Sequence, residues 1–172
     1  MSARTKQKTH ILITDVGTYL GAALAKSYLD QNCAVFGISS TNLPQNLLQH
    51  QDFTLLDIDL SQPFPSHLPT FDIIFHLGLL QQHSAAHFTG HLPQTSNIIS
   101  HAQNMGSRLF VFAPITLDPE TINIGKNSTL FLIGDVYGPG INTNHPQDEI
   151  QSLISQAAKN DKVILENEGL AP

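Results

Sequence analysis

The chain has 172 residues, 41% hydrophobic and 13% charged, which is enough for one domain with a proper core and is a globular composition. Its formal charge of −6 at pH 7 gives no general attraction to nucleic acid or an anionic membrane; a single cysteine, Cys33, excludes an internal disulfide and fits a reducing compartment. No apolar run approaches the roughly 20 residues needed to span a bilayer, and the residues before Ile11 lack an apolar signal-peptide core, so the expected location is cytoplasmic.

In chain order, residues 1–8 read as a solvated polar tail carrying Arg4, Lys6 and Lys8. Ile11–Thr14 is a β-branched apolar run and predicts a strand. Leu20, Leu24 and Tyr28, with Ala23 beside them, then repeat at helical spacing, and Ala34–Ile38 predicts a second strand. Residues 9–40 thus make one βαβ unit, whose right-handed crossover sets the helix N-terminus beside the end of the first strand, where phosphates bind. Cys33 reads as packing between that helix and strand. Leu43–His50 allows a short helix, and Phe53–Asp57 is the third strand. Residues 61–69, punctuated by Pro63, Pro65 and Pro69, disfavour helix. Asp72–Leu77 is the fourth strand, its apolar centre suited to burial on both faces.

Residues 81–94, rich in His and Gln and interrupted by Gly90 and Pro93, read as a polar connection. Ile98, Ile99 and Ala102 place a helix over Ser96–Met105, ending at Gly106 in the left-handed position after it. Leu109–Phe112 and Leu130–Ile133 are the fifth and sixth strands; between them Pro114, Pro119 and Gly125 leave room for one short helical turn. Ile150, Leu153, Ile154, Ala157 and Ala158 predict an amphipathic helix between Pro146 and Lys159, and Val163–Leu165 a last strand. This alternation predicts an α/β protein: a three-layer, doubly wound, mostly parallel sheet in the order 3-2-1-4-5-6.

Five motifs fall along this frame: Thr14 to Gly21 after the first strand, Asp59-Leu60 after the third, Phe75 to Gly78 at the end of the fourth, Asn97 in the following helix, and Val136 to Gly140. In this order they resemble the Rossmann half of the extended short-chain dehydrogenases/reductases, the NAD-dependent epimerase/dehydratase family that acts on nucleotide sugars. The resemblance implies a Rossmann-like NAD(P)-binding-type domain over 9–172, without that family's substrate domain. It also implies a vestigial cofactor site at Asp15, Gly17, Thr18, Tyr19, Leu20, Gly21, Ser39, Asp59, Leu60 and Gly78.

In the family the turn reads Thr-Gly-x-x-Gly-x-x-Gly, and here only the third glycine, Gly21, keeps its place. Asp15 tolerates left-handed angles at the first position but brings a carboxylate toward a pyrophosphate. Thr18 puts a branched side chain at the second, with Gly17 one residue earlier. Gly21 permits close helix-to-strand packing, a role that needs no cofactor. Ser39 stands where NAD users carry an acid, followed by Ser40 and Thr41. It suits a 2′-phosphate, yet no Arg or Lys lies between it and the fourth strand. Asp59-Leu60 matches the residues that flank adenine, and Gly78 the small position beside the cofactor. NAD or NADP is therefore the cofactor to test, with none assured.

The family's chemistry uses a Ser/Thr at the end of the fifth strand and a Tyr-x-x-x-Lys pair, the lysine lowering the phenol's pKa. Tyr19, Tyr28 and Tyr137 are followed four residues later by Ala23, Asn32 and Ile141. The fifth strand runs into Ala113-Pro114, with Thr116 displaced, and residues 113–129 are too few for the catalytic helix. No catalytic residue is expected. The predicted function is a scaffold, regulatory or nucleotide-sensing subunit, acting with another protein or by self-association. The reading from another class is an active NAD(P)-dependent oxidoreductase or epimerase acting on a nucleotide sugar, by itself or completed by a partner chain. His83, His87 and His91 align on a helix and could ligate a metal, but no carboxylate or cysteine joins them locally, and a polar loop is the expected reading. His76 reads as a satisfied core histidine.

Overall fold

The computed structural model describes residues 8–80, 85–134 and 136, with the side chains of 85–92 excepted. The chain divides into units 1–134 and 135–172; the account below concerns the first. The helix expected between Pro146 and Lys159, the strand at Val163–Leu165, Tyr137 and most of the Val136 to Gly140 motif lie outside the described residues.

Strands β1 (His10–Thr14), β2 (Ala34–Ile38), β3 (Phe53–Leu55), β4 (Ile73–His76), β5 (Arg108–Pro114) and β6 (Ser128–Ile133) form one sheet in the order β3-β2-β1-β4-β5-β6, with every pairing parallel. This is the Rossmann-like doubly wound arrangement. The order reverses between β1 and β4; in open sheets of this kind the ligand crevice lies at that point, beyond the carboxyl ends of the strands. Helices α1 (Tyr19–Asp30), α2 (Gln45–Leu48) and α3 (Ala85–Met105) complete the layers.

Alternation along β1 builds two cores. Ile11 and Ile13 point to one face, with Ala25 and Leu29 of α1, Val35 and Phe75; Leu12 points to the other, with Ile74, Leu109, Ile98, Ile99 and Ala102 of α3. Each buried apolar side chain contributes about 1.5–3 kcal/mol relative to exposure. Cys33 and Tyr28 pack against the first core, as read from sequence, with Tyr28 and Phe75 ring centroids 5.4 Å apart.

Two expectations are corrected. Residues 85–94 are helical and not a loop: α3 starts at Ala85 and runs through Gly90 and Pro93. An interior proline costs about 3 kcal/mol. Burial of Ile98, Ile99 and Ala102 offsets that loss, and Ala85 and Ala86 favour helix. Lys8 is not in a free tail. Its Nζ lies 2.6 Å from Asp52 Oδ1, fastening the approach to β1 onto the approach to β3.

The end of α3 follows its sequence signal. Gly106 has φ 71°, and the N–H groups of Gly106 and Ser107 donate to the carbonyls of Gln103 and Ala102. The connection from β5 to β6, residues 115–127, holds only the 3-10 turn Pro119–Thr121, capped by Asp118. Ile122 is buried there, and Leu117 and Ile124 pack beside it on the α3 side of the sheet.

Hydrogen bonding from Lys8 holds the Asp52 carboxyl below its usual value of 3.8, against a smaller opposing effect of desolvation. A carboxyl depressed in the folded state stabilises above its ordinary range, and that contribution is lost as pH falls through the lower folded value. In Lys8→Ala the Asp52 carboxyl titration, followed by NMR, is expected to move up toward 3.8. An unmoved midpoint would show that the ion pair does not persist in solution.

Candidate functional site

The turn after β1 is built by its own side chains. Asp15 adopts φ 52°, the left-handed geometry the first glycine would supply. Val16 N–H donates to Ile38 O at 3.0 Å, pinning the turn to β2. Thr18 is the N-cap of α1: its hydroxyl donates to Asp15 O at 2.8 Å and accepts the Gly21 N–H at 3.1 Å. An N–H group that a helix N-terminus could offer to an anion is thereby taken. Tyr19 and Leu20 are half-buried in the first turn of α1, and Leu20 packs against the core.

Gly17 sits against the end of β2. A Cβ there would collide with Thr41 Oγ1 and lie 2.5 Å from Ser39 Oγ. Ser39 is committed locally: its hydroxyl donates to Thr41 O and accepts the Thr41 N–H, both at 3.1 Å. At Gly78 a Cβ would lie 3.0 Å from His76 Cε1 and 3.1 Å from Asp15 Oδ2, so the Asp15 carboxylate leans from the turn toward the end of β4.

Beneath it, His76 is buried and satisfied as expected. Nδ1 is 2.9 Å from Thr14 Oγ1 and Nε2 is 2.9 Å from Thr95 Oγ1; Thr14 Oγ1 also accepts the Leu77 N–H at 3.0 Å. This network joins β1, β4 and α3. Sequence reading missed Thr14 and Thr95 as its members. Parallel register was the available signal for Thr14: Ile13 pairs with Phe75, so the next residue of β1 stands beside His76.

Asp59 and Leu60 lie on a separate loop. Asp59 is exposed, and hydrogen bonds from the side chain and then the backbone of Ser61 lower its carboxyl pKa. Asn97 donates to Leu60 O at 2.9 Å, tying this loop to α3. The sequence-predicted residues therefore form two neighbouring groups, Asp15 with Thr18, Gly21 and Gly78, and Gly17 with Ser39, while Asp59 and Leu60 are held on their own loop. Ala113 is buried at the end of β5 and Thr116 is exposed. Among the described residues no three His, Cys, Asp or Glu side chains converge as a metal site; His87 and His91 fall on α3, and His83 lies outside the described residues.

A hollow of about 810 Å³ lies at the opposite end of the strands, lined by Gln103, Ser107, Ile122, Asn123, Gly125 and Asn127 among others. Its polar atoms serve the fold. Gly125 N–H donates to Asn123 Oδ1, Asn127 Nδ2 to Ser107 O, and Ser107 Oγ to Phe71 O.

No family model and no curated protein matches the sequence. Solved structures do match in fold. The NAD-dependent NDP-hexosamine 5,6-dehydratase TunA, involved in tunicamycin biosynthesis, is 13% identical at a TM-score of 0.68, over 94% of this chain and 65% of its own. The Bordetella bronchiseptica enzyme WbmH, in complex with NAD+, is 15% identical at 0.52, over 66% and 43%. The Helicobacter pylori ADP-L-glycero-D-manno-heptose-6-epimerase is 16% identical at 0.51, over 70% and 44%. The likeness is one of fold, and the chain spans less than two thirds of each of these proteins.

Thr18→Ala is expected to lower stability by about 1 kcal/mol through loss of the cap, and Thr18→Gly by only a few tenths. Gly21→Ala adds about 1 kcal/mol of helix propensity. Its Cβ, however, would lie 2.5 Å from Asp15 O and 2.8 Å from Val16 Cα, backbone atoms that cannot rotate away. Overpacking costs about 1–3 kcal/mol, so the net change is destabilising. Urea unfolding measures both, and a more stable Gly21→Ala protein would refute the close approach.

Proposed function

We propose that this chain is a non-catalytic relative of the nucleotide-sugar epimerases and dehydratases, a pseudoenzyme that works as a scaffold, regulatory or nucleotide-sensing subunit. The connection from β5 to β6 carries this reading: it spans residues 115–127 and holds one 3-10 turn. An acid/base tyrosine needs a cation one helical turn away to lower its pKa. That segment contains no tyrosine, and no tyrosine anywhere in the chain has a lysine four residues on.

The crevice supports the same reading. The cap on Gly21 N–H, the local commitment of Ser39 and the Asp15 carboxylate all disfavour a doubly charged pyrophosphate. NAD, NADP or a nucleotide sugar is the ligand class to test, since TunA is named as NAD-dependent and WbmH as a complex with NAD+. We place the protein in the cytoplasm, supported by its single cysteine; no helix among the described residues is long and apolar enough to cross a membrane. Its action runs through another protein or a second copy of itself, a reading supported by the exposure of Ile115 and Phe131 beside the shortened connection.

The test is incubation of the full chain with NAD(H), NADP(H) and UDP- or GDP-sugars, followed by thermal unfolding and turnover assays. No turnover and no upshift are expected. A ligand present at 100 times its Kd would add about 2.7 kcal/mol, a readily measured shift. An upshift without turnover selects the nucleotide-sensing role. Turnover by the purified chain would overturn the proposal, and turnover appearing only with a co-purified protein would make this chain the cofactor half of a two-chain enzyme.

A further inference from the structure

The loop at 60–69 is held to α3 by two side chains on one face of the helix. Asn97 Nδ2 donates to Leu60 O at 2.9 Å and reaches Gln62 O at 3.4 Å. Four residues on, the His101 ring stacks on Phe64, with centroids 4.1 Å apart and planes 16° apart, and meets Phe71 at 6.1 Å. His101 Nε2 is buried with no hydrogen-bond partner. A neutral ring tolerates this with an idle lone pair. A protonated ring carries a donor and a charge at the same atom, and an unmet buried donor is costly.

We propose that the Asn97–His101 face of α3 is a pH-operated latch: neutral His101 holds Phe64 and the 60–69 loop against the helix, and protonation draws the ring away from Phe64 and frees the loop while the sheet stays intact. The charged and titratable groups on the surrounding elements are Asp59 and His67 on the loop, Asp72 before β4, His10 across Phe36 and Phe71, His76 on β4, bonded to Thr95 of α3, and Arg108 at the start of β5, over the Phe110 ring. Asp59 is engaged by Ser61, and Asp72 Oδ2 accepts the His10 N–H at 2.8 Å. From Pro93 to Met105, α3 carries no other ionisable side chain.

Burial alone lowers the His101 pKa below its ordinary 6.5. The unfolded or released state therefore binds the proton more readily. The cost of keeping the latch closed appears as pH falls through 6.5 and is complete below the folded value. The loop begins at the Asp59-Leu60 pair, which the family resemblance sets beside adenine.

Amide hydrogen exchange of the full chain at pH 7.5 and 5.5, corrected for intrinsic rates, tests the latch. Protection at residues 61–68 is expected to fall about tenfold at the lower pH while β1 and β4 keep theirs. His101→Phe should retain the stack and abolish the fall, His67→Gln should leave it unchanged, and Asn97→Ala should loosen the loop at both pH values. Equal falls in the wild type and His101→Phe, or no fall in the wild type, would overturn the proposal. Should His101→Phe not fold, the ring-proton NMR titration of wild-type His101 decides: a midpoint at or above 6.5 rules the latch out.

Discussion

A strand paired on both edges needs all its backbone polar groups in register with two neighbours, and β1 meets this condition between β2 and β4. Because β1 is also buried on both faces, the placement of its five residues aligns both cores. The buried contact of Thr14 with His76 locks that alignment. One hydroxyl bonds the imidazole of the adjacent strand and the N–H of Leu77, and the far side of the ring bonds Thr95 of α3. A polar side chain at a fully buried strand end is tolerable only because each polar atom there is matched. The position of α3 thus follows from β1 through one histidine.

The same requirement explains the crevice. Carboxyl ends of parallel strands and the N-terminus of α1 leave N–H groups and hydroxyls in need of partners. Here Thr18 caps Gly21, Ser39 closes a local turn on Thr41, and Gly17 backs onto both of those β2-end hydroxyls. Each departure from the glycine-rich turn supplies a partner or fills space within the protein. At Gly21 the helix and strand backbones approach too closely for a Cβ, whether or not a ligand is held.

Much of this was legible in the residues. Strand order followed from the alternation of apolar runs, and β2 was read to the residue because Ala34–Ile38 is bounded by Cys33 and Ser39 without competing signals. Gly106 and Asp15 were read as left-handed positions because few residues adopt that geometry cheaply. Residues 85–94 were misread because Gly90 and Pro93 are local signals, whereas the helix is sustained by burial further along at Ile98, Ile99 and Ala102. The ion pair of Lys8 with Asp52 and the stack of His101 on Phe64 join residues distant in sequence, and no spacing rule reports them. Within the site, the left-handed geometry of Asp15 is legible in the residue itself, whereas the mutual hydrogen bonding of the side chains is visible only with β1, β2 and β4 side by side.

The connection between β5 and β6 shows how a parallel pair in a doubly wound sheet can be joined without an α-helix. A parallel pair requires its chain to return to the starting end, and residues 115–127 do so through turns and irregular backbone around one 3-10 turn, with Gly125 and Asn127 at positive φ. The apolar surface on this side of the sheet has to be shielded. Ile122 takes part of it into the α3 core, with Leu117 and Ile124 at its margin. Cover for the core needs only apolar area, and this connection supplies it through Ile122, Leu117 and Ile124 without an α-helix.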